Sequence, residues 1–250
     1  MVDERSGSGD IERTLRLLWS PESRSERGPQ RSLSVLAIVD RAVAIADAGG
    51  LDAVSMRSVA SELGVGTMTL YRYIPSKAEL LDLMLDRVNQ PALDQLPAGW
   101  RSGMEWMGRE LWRLYTMHPW VPQVDQARPV LGPNAVHALD LVMGALRGSG
   151  LTDQEKVSLT VTLESFVANL ARTASSLATA EERTAITHEE FWSSQEPTLV
   201  AAMESGRYPH MADLSEDAFA ASTEETFEFG LQRILDGVDT LLSSRASHTH

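Results

Sequence analysis

Cysteine is absent from the 250 residues. Disulfides, thiolate nucleophiles and cysteine-built zinc sites are therefore excluded, and a reducing, cytoplasmic setting is compatible. No run is long and apolar enough to span a bilayer, so no membrane partner is expected. The first ten residues, Met1 to Asp10, lack an apolar stretch and do not read as a signal peptide. Period-2 alternation and internal repeats are missing, which removes the β classes and solenoids. Phosphate loops, nucleophile elbows and paired carboxylates are missing as well. His188-Glu189-Glu190 lacks the second histidine one helical turn away that a zinc-protease motif needs. His248 and His250 fall in a tail expected to fray. No catalytic residue, metal or cofactor is therefore expected, and the chain is not read as an enzyme. A basic excess is lacking too: the formal net charge is -13.

That charge is unevenly spread. Residues 1–90 sum to -2 and residues 91–250 to -11, so a nucleic-acid contact would have to come from a local surface in the first part. What is present is helical periodicity, and it divides the chain into three. Residues 1–32 read as a polar, flexible arm with a short helix around Ile11–Trp19, where Ile11, Leu15, Leu18 and Trp19 share a face. Residues 33–90 are dense in helix signals. Pro91 to Gly99 is a linker, and 91–250 form a larger helical domain. Arg24, Arg27 and Arg31 in the arm suit either a solvated tail or a minor-groove arm.

Between Ser34 and Asn89 the signals are closely spaced. Leu36, Val39, Val43 and Ala46 make a helix that Gly49-Gly50 ends. Ser55 can cap a second helix with Val59, Ala60 and Leu63 inward. Gly64 supplies the left-handed residue for a sharp turn. A third helix over about Thr67–Tyr73 buries Leu70 and Ile74. Two short helices joined by such a turn form a helix-turn-helix. Thr67, Met68, Thr69, Tyr71, Arg72 and Tyr73 then face outward. Thr and Met can touch a thymine methyl, Arg can bridge guanine O6 and N7, and Tyr and Lys can reach phosphates. Pro75 stops the helix. Ser76 and Glu79 have capping-box spacing for a fourth helix with Leu80, Leu81, Leu83, Met84 and Val88. Its N-terminus, beside Lys77, is expected to be exposed as a phosphate site.

The run from Leu63-Gly64-Val65 through Tyr71-Arg72-Tyr73-Ile74-Pro75 to Leu80-Leu81, with Ala44–Gly50 and Ser55–Leu63 before it, closely resembles the DNA-binding domain of the TetR (tetracycline-repressor-like) family. His118-Pro119-Trp120, Gly132-Pro133-Asn134 and Phe227-Glu228-Phe229-Gly230-Leu231 resemble its tetracycline-repressor-type C-terminal domain. The resemblance implies an all-α fold: a three-helix helix-turn-helix domain and a larger helical domain for ligand binding and dimerisation. It implies a repressor released from its operator by a small, largely apolar effector. It places Arg57, Thr67, Met68, Thr69, Tyr71, Arg72, Tyr73 and Lys77 at the DNA. Where that repressor carries a metal-binding histidine, this chain reads Val124-Asp125, so no metal is expected.

In the C-terminal part, Trp100, Met104, Met107, Leu111 and Leu114 form one stripe. A second pattern covers about Asp153 to Thr179, with Leu159, Leu163, Phe166, Val167, Leu170, Ala174 and Leu177 sharing a face. A third covers about Ser215 to Leu242. Gly230 and Gly237 on the last helix each cost about 1 kcal/mol relative to Ala, a loss that close approach of another helix would offset. By the resemblance, Phe227, Gly230, Leu231, Ile234, Gly237, Val238 and Leu241 belong to a four-helix homodimer interface. Dimerisation also follows from DNA reading, because two recognition helices about 34–36 Å apart can read a near-palindromic operator in double-stranded DNA. Trp100, Met104, Met107, Trp120, Phe166 and Trp192 are candidates for an effector pocket, with Thr162 and Asn169 as polar anchors.

Overall fold

The computed structural model describes residues 5–20, 33–215 and 217–248, without the side chains of 181–183, 188 and 248. Arg24, Arg27, Arg31 and His250 lie outside the described residues, as does the His248 side chain. The described residues form twelve α-helices and contain no strand beyond one isolated bridge between Arg5 and Asp125.

The first helix, α1 (Ile11–Trp19), is capped by Asp10, whose side chain accepts from the Arg13 N–H. Its buried residues are Thr14 and Leu18, while Ile11, Leu15 and Trp19 stay exposed. The apolar stripe read from the sequence is therefore only partly used, because α1 packs chiefly on one neighbour. That neighbour is α5 (Lys77–Val88).

Three α-helices lie between α1 and α5. Ser34 caps α2 (Val35–Gly49), which buries Ile38, Val39, Ala42 and Ala46. Val39 and Ala46 were expected inside; Leu36 and Val43 are only half-buried. A 3₁₀ turn (Leu51–Ala53) leads to α3 (Met56–Glu62). Next comes α4 (Thr67–Tyr71), shorter than expected because its last turn tightens: Tyr73 N–H bonds back to Leu70 O at 2.9 Å.

α5 has eight consecutive buried residues, Glu79 to Asp86. The amphipathic reading of Leu80, Leu81, Leu83 and Met84 found its core side only. The helix is wrapped by α1, α2 and α7 (Pro133–Ala145), so its polar side is enclosed too.

The loop 91–99 separates α5 from α6 (Trp100–Met117). α6 packs on α7, on α8 (Asp153–Thr184) and on α12 (Thr223–His248). Gly103 lies against Ala145 of α7, and Gly108 against Leu231 of α12. Arg101 pairs with Asp236 at 2.7 Å and with Asp239, and Arg109 with Glu228 at 2.9 Å, so charges clasp the α6–α12 seam. Between α8 and α12 the chain makes α9 (His188–Ser193), α10 (Glu196–Glu204) and α11 (Pro209–Ala212), which touch chiefly one another. The sequence reading found neither these three nor α7, since short helices carry too little periodicity.

Candidate nucleic-acid interface and effector cavity

The helix-turn-helix is built from local hydrogen bonds. Ser55 accepts from the Ser58 N–H at 3.0 Å, and the Ser58 hydroxyl accepts from the Ser55 N–H at 2.9 Å, closing a capping box at the start of α3. Gly64 has φ +67°, the left-handed region that an L side chain enters only with strain. Gly64 N–H bonds to Ser61 O at 3.1 Å and Val65 N–H to Ala60 O at 3.0 Å, the paired bonds of a Schellman stop. The chain therefore turns at once into α4.

Leu70 and Ile74 are fully buried, and they fix which side of α4 faces out. Met68 is 76% exposed, and Tyr71, Arg72 and Tyr73 are exposed around it. Thr67 and Thr69 are half-buried, and Arg57 on α3 is exposed. One surface thus presents an Arg, two Tyr and a Met, all free of the domain's own core.

Lys77 sits differently from the expectation. It is half-buried, and its Nζ donates to Leu51 O at 3.4 Å. Gly9 lies against Ala78 and Glu79, so the N-terminal strap flanks the first turn of α5 and that helix end is not open. The capping box expected there takes another form. Ser76 accepts from Ala78 N–H at 3.1 Å, and its hydroxyl donates to the Glu79 carboxylate.

The strap is held by a buried acid. Asp82 accepts from the Ser6 hydroxyl at 2.6 Å and from Gly7 N–H at 3.0 Å. Burial pushes its carboxyl above the usual range; those two bonds work against the shift, and Glu79 adds to it. Ser6 also donates its N–H to Asp125 O at 3.0 Å and accepts from Val130 N–H at 3.2 Å. The Trp19 indole donates to Leu131 O at 3.2 Å. Residues 5–19 thus join α5 to the 124–131 loop, and this stretch of the arm is part of the fold.

Two further joints link the DNA-binding helices to the larger domain. Asp86 accepts from the N–H groups of Asn134 and Ala135 at 3.1 and 3.0 Å, so a carboxylate of α5 caps the N-terminus of α7. Asp47 of α2 accepts from the Trp120 indole at 2.8 Å and contacts His118 Nδ1 at 2.7 Å. The motifs His118-Pro119-Trp120 and Gly132-Pro133-Asn134 are therefore domain joints. Trp120 is buried in one of them.

A cavity of about 840 Å³ opens between α6, α7, α8 and the end of α5, within the range of small-molecule sites. Its walls include Trp106, Leu111, Leu114, Tyr115, Leu139, Val142 and Val161, with Glu164 and Arg172 among the polar groups. Of the residues expected there, Met107 and Asn169 line it. The other six do not. Trp100 is half-buried against the core, and Met104 is fully buried within it. Phe166 fills the α8–α12 contact beside Phe227, and Trp192 on α9 is 51% exposed. Thr162 bonds back to Ser158 O at 2.7 Å on the outer side of α8. Tyr115, Glu164 and Arg172 were missed. A sequence shows that α6 and α8 are amphipathic, but which edge of a stripe borders a void depends on how far apart the helices stand.

The expected dimer residues divide likewise. Phe227 and Leu231 are buried in their own subunit, Phe227 stacked on Trp112 with ring centroids 4.9 Å apart. A Cβ on Gly230 would collide with the Phe166 ring of the same chain. Ile234 and Val238 are half-buried against the core. Gly237 has no atom near the position of a Cβ, and Leu241 is exposed.

Residues 38–84 match the model described as bacterial regulatory proteins, tetR family, and residues 93–242 match the tetracyclin repressor-like C-terminal domain. The HTH-type transcriptional repressor DrrR1 of Streptomyces coeruleorubidus is 51% identical over 245 residues, covering 97% of this chain and 90% of its own. The crystal structure of apo ActR from Streptomyces coelicolor aligns with a TM-score of 0.70 at 27% identity, over 87% of this chain and 100% of that one. ActR in complex with actinorhodin aligns with a TM-score of 0.69 at 28% identity, over 84% of this chain and 96% of that one. The helix-turn-helix geometry, the second helical domain and these matches along most of the sequence lead to one conclusion: this chain belongs to the TetR family of bacterial regulatory proteins and is a DNA-binding transcriptional repressor.

Proposed function

We propose that the protein binds a near-palindromic operator as a homodimer in the cytoplasm, and is released when a small, largely apolar molecule occupies the cavity between α6, α7 and α8. One observation carries this reading. The cavity is walled in part by Leu85, Asp86, Val88, Asn89 and Gln90, the end of the helix that carries the helix-turn-helix. A molecule that fits only when this end of α5 shifts would favour one spacing of the two recognition helices over another. It can move that balance only by its difference in affinity for the two states. The actinorhodin complex of ActR supports a small organic effector for a domain of this shape.

Dimerisation through α8 and α12 is supported by their outward sides. On α12, Gly237 leaves room for another helix, and Phe229 and Leu241 are exposed. On α8, Thr162 and Thr173 are small and already bonded to their own helix, so they can be covered without leaving a polar group unsatisfied.

The test is Arg72→Ala in a gel-shift assay with operator DNA. Arg72 is exposed beyond the last turn of α4, and a guanine contact of this kind is worth about 1–3 kcal/mol per half-site. The shift should vanish at concentrations that saturate the wild type, with helicity and dimer mass unchanged. Undiminished binding refutes the placement of α4 in the groove.

A further inference from the structure

Tyr115 is 5% exposed, and its hydroxyl makes no hydrogen bond with any described residue. Among the described residues every polar side-chain atom sealed from solvent has a partner, so this hydroxyl opens onto the cavity that Tyr115 lines. Burial raises its pKa most; the Glu164 carboxylate raises it further and the Arg172 guanidinium lowers it. Both also line the cavity. Glu164, solvent-exposed on the wall of the cavity, has no ion pair or hydrogen bond with any described residue. Arg172 uses Nε on the Pro122 carbonyl at 2.8 Å and has no carboxylate partner among the described residues. The cavity wall therefore carries one buried hydroxyl with no bond to the described residues and two solvent-exposed charges with no ion-pair partner among them.

Their order along α8 is chemically specific. Glu164 can accept, Arg172 can donate through a planar fork, and Tyr115 lines the same cavity from α6. Eight residues separate the two charges, about 12 Å along the helix axis. We infer that the effector is an elongated, hydroxylated aromatic carboxylate: its hydroxyl donates to Glu164, its carboxylate takes the free guanidinium edge of Arg172, and Tyr115 donates to the acceptor between them. The guanidinium fork matches a carboxylate better than a lone carbonyl. The flat apolar body lies among Trp106, Leu111 and Val142. This rests on the effector reading of the cavity given above. It adds a route for release, because Arg172 also ties α8 to the turn before Val124 that follows the His118–Trp120 joint with α2.

The experiment uses the full chain and three anthraquinones in calorimetry and gel shift: rhein, a dihydroxy carboxylate; danthron, the dihydroxy compound without the carboxylate; and mitoxantrone, a cationic amine. Rhein should bind the wild type at least about 10-fold more tightly than danthron. Arg172→Gln should cost rhein about 10- to 100-fold and leave danthron nearly unchanged, while Arg172→Lys should recover part of the loss. Tyr115→Phe, whose missing hydroxyl bonds nothing in the protein, should fold normally and weaken both by about 3- to 10-fold. Equal binding of rhein and danthron, indifference to Arg172→Gln, or binding of none of the three overturns the inference. Preference for mitoxantrone, abolished by Glu164→Gln, would overturn it in favour of a cationic effector; release of operator by mitoxantrone would leave the effector reading intact. Arg172-dependent binding of rhein without release of operator would uphold the chemistry and break the effector reading instead.

Discussion

Gly132 shows how one residue holds two domains together. Its backbone approaches Asp86 so closely that a Cβ would collide with the carboxylate. That approach lets Asp86 reach the first N–H groups of α7, at 3.1 and 3.0 Å. Gly132→Ala should push the carboxylate off the helix end and take the cap from the first two N–H groups of α7. Overpacking of this kind costs about 1–3 kcal/mol, so the melting temperature should fall by several degrees. Gly144, also on α7 but with open space around it, is the control: Gly144→Ala should hold or raise stability. Equal effects of the two changes would refute the close-approach argument.

Among elements, the pairing of α8 with α12 has a pH-sensitive end. Arg245 of α12 reaches Glu155 of α8 at 2.5 Å, and Thr152 adds its N–H at 2.9 Å. The Arg245 bond first, then the Thr152 bonds, hold the Glu155 carboxyl down at about 2. Its folded value thus lies below the 4.5 of an ordinary glutamate. A depressed carboxyl stabilises the fold above its unfolded pKa, and that contribution is lost as pH falls through the folded value. Glu155→Gln should therefore lower the melting temperature at pH 7, and the gap to wild type should close as pH falls from 4.5 toward 2. The pair is open to solvent, so the gap should be modest and should shrink in salt. A gap constant across that range would show that Glu155 acts by packing and not by charge.

For the whole molecule the question is which surface meets a second copy. Phe227, Gly230 and Leu231 are occupied within the subunit, whereas the position of a Cβ on Gly237 is open. Gly237→Glu should therefore leave one subunit folded and place a charge where a second helix would pack. Light scattering should report a monomer with unchanged circular dichroism, and operator affinity should fall by orders of magnitude, because one recognition helix reads too few bases alone. A dimer that survives Gly237→Glu would move the interface elsewhere. Gly230→Glu should behave differently, unfolding the subunit through Phe166.

Much of this protein was legible in local chemistry. Ser55, Gly64, Leu70 and Pro75 act through neighbours a few residues away, so the helix-turn-helix and its outward face follow from the linear order alone. The periodicity of α6, α8 and α12 likewise announced long helices with one apolar side. Tertiary structure decided what those sides meet. Phe227 could face a partner or its own core, and only the approach of α6 and α8 settles that it stacks on Trp112. Met104 and Met107 look alike on one stripe, yet one is sealed and the other borders the cavity. The buried acids Asp82 and Asp86 look like solvent positions in the sequence. They are satisfied by Ser6 and by the start of α7, groups distant along the chain, and contacts at that separation leave no local trace.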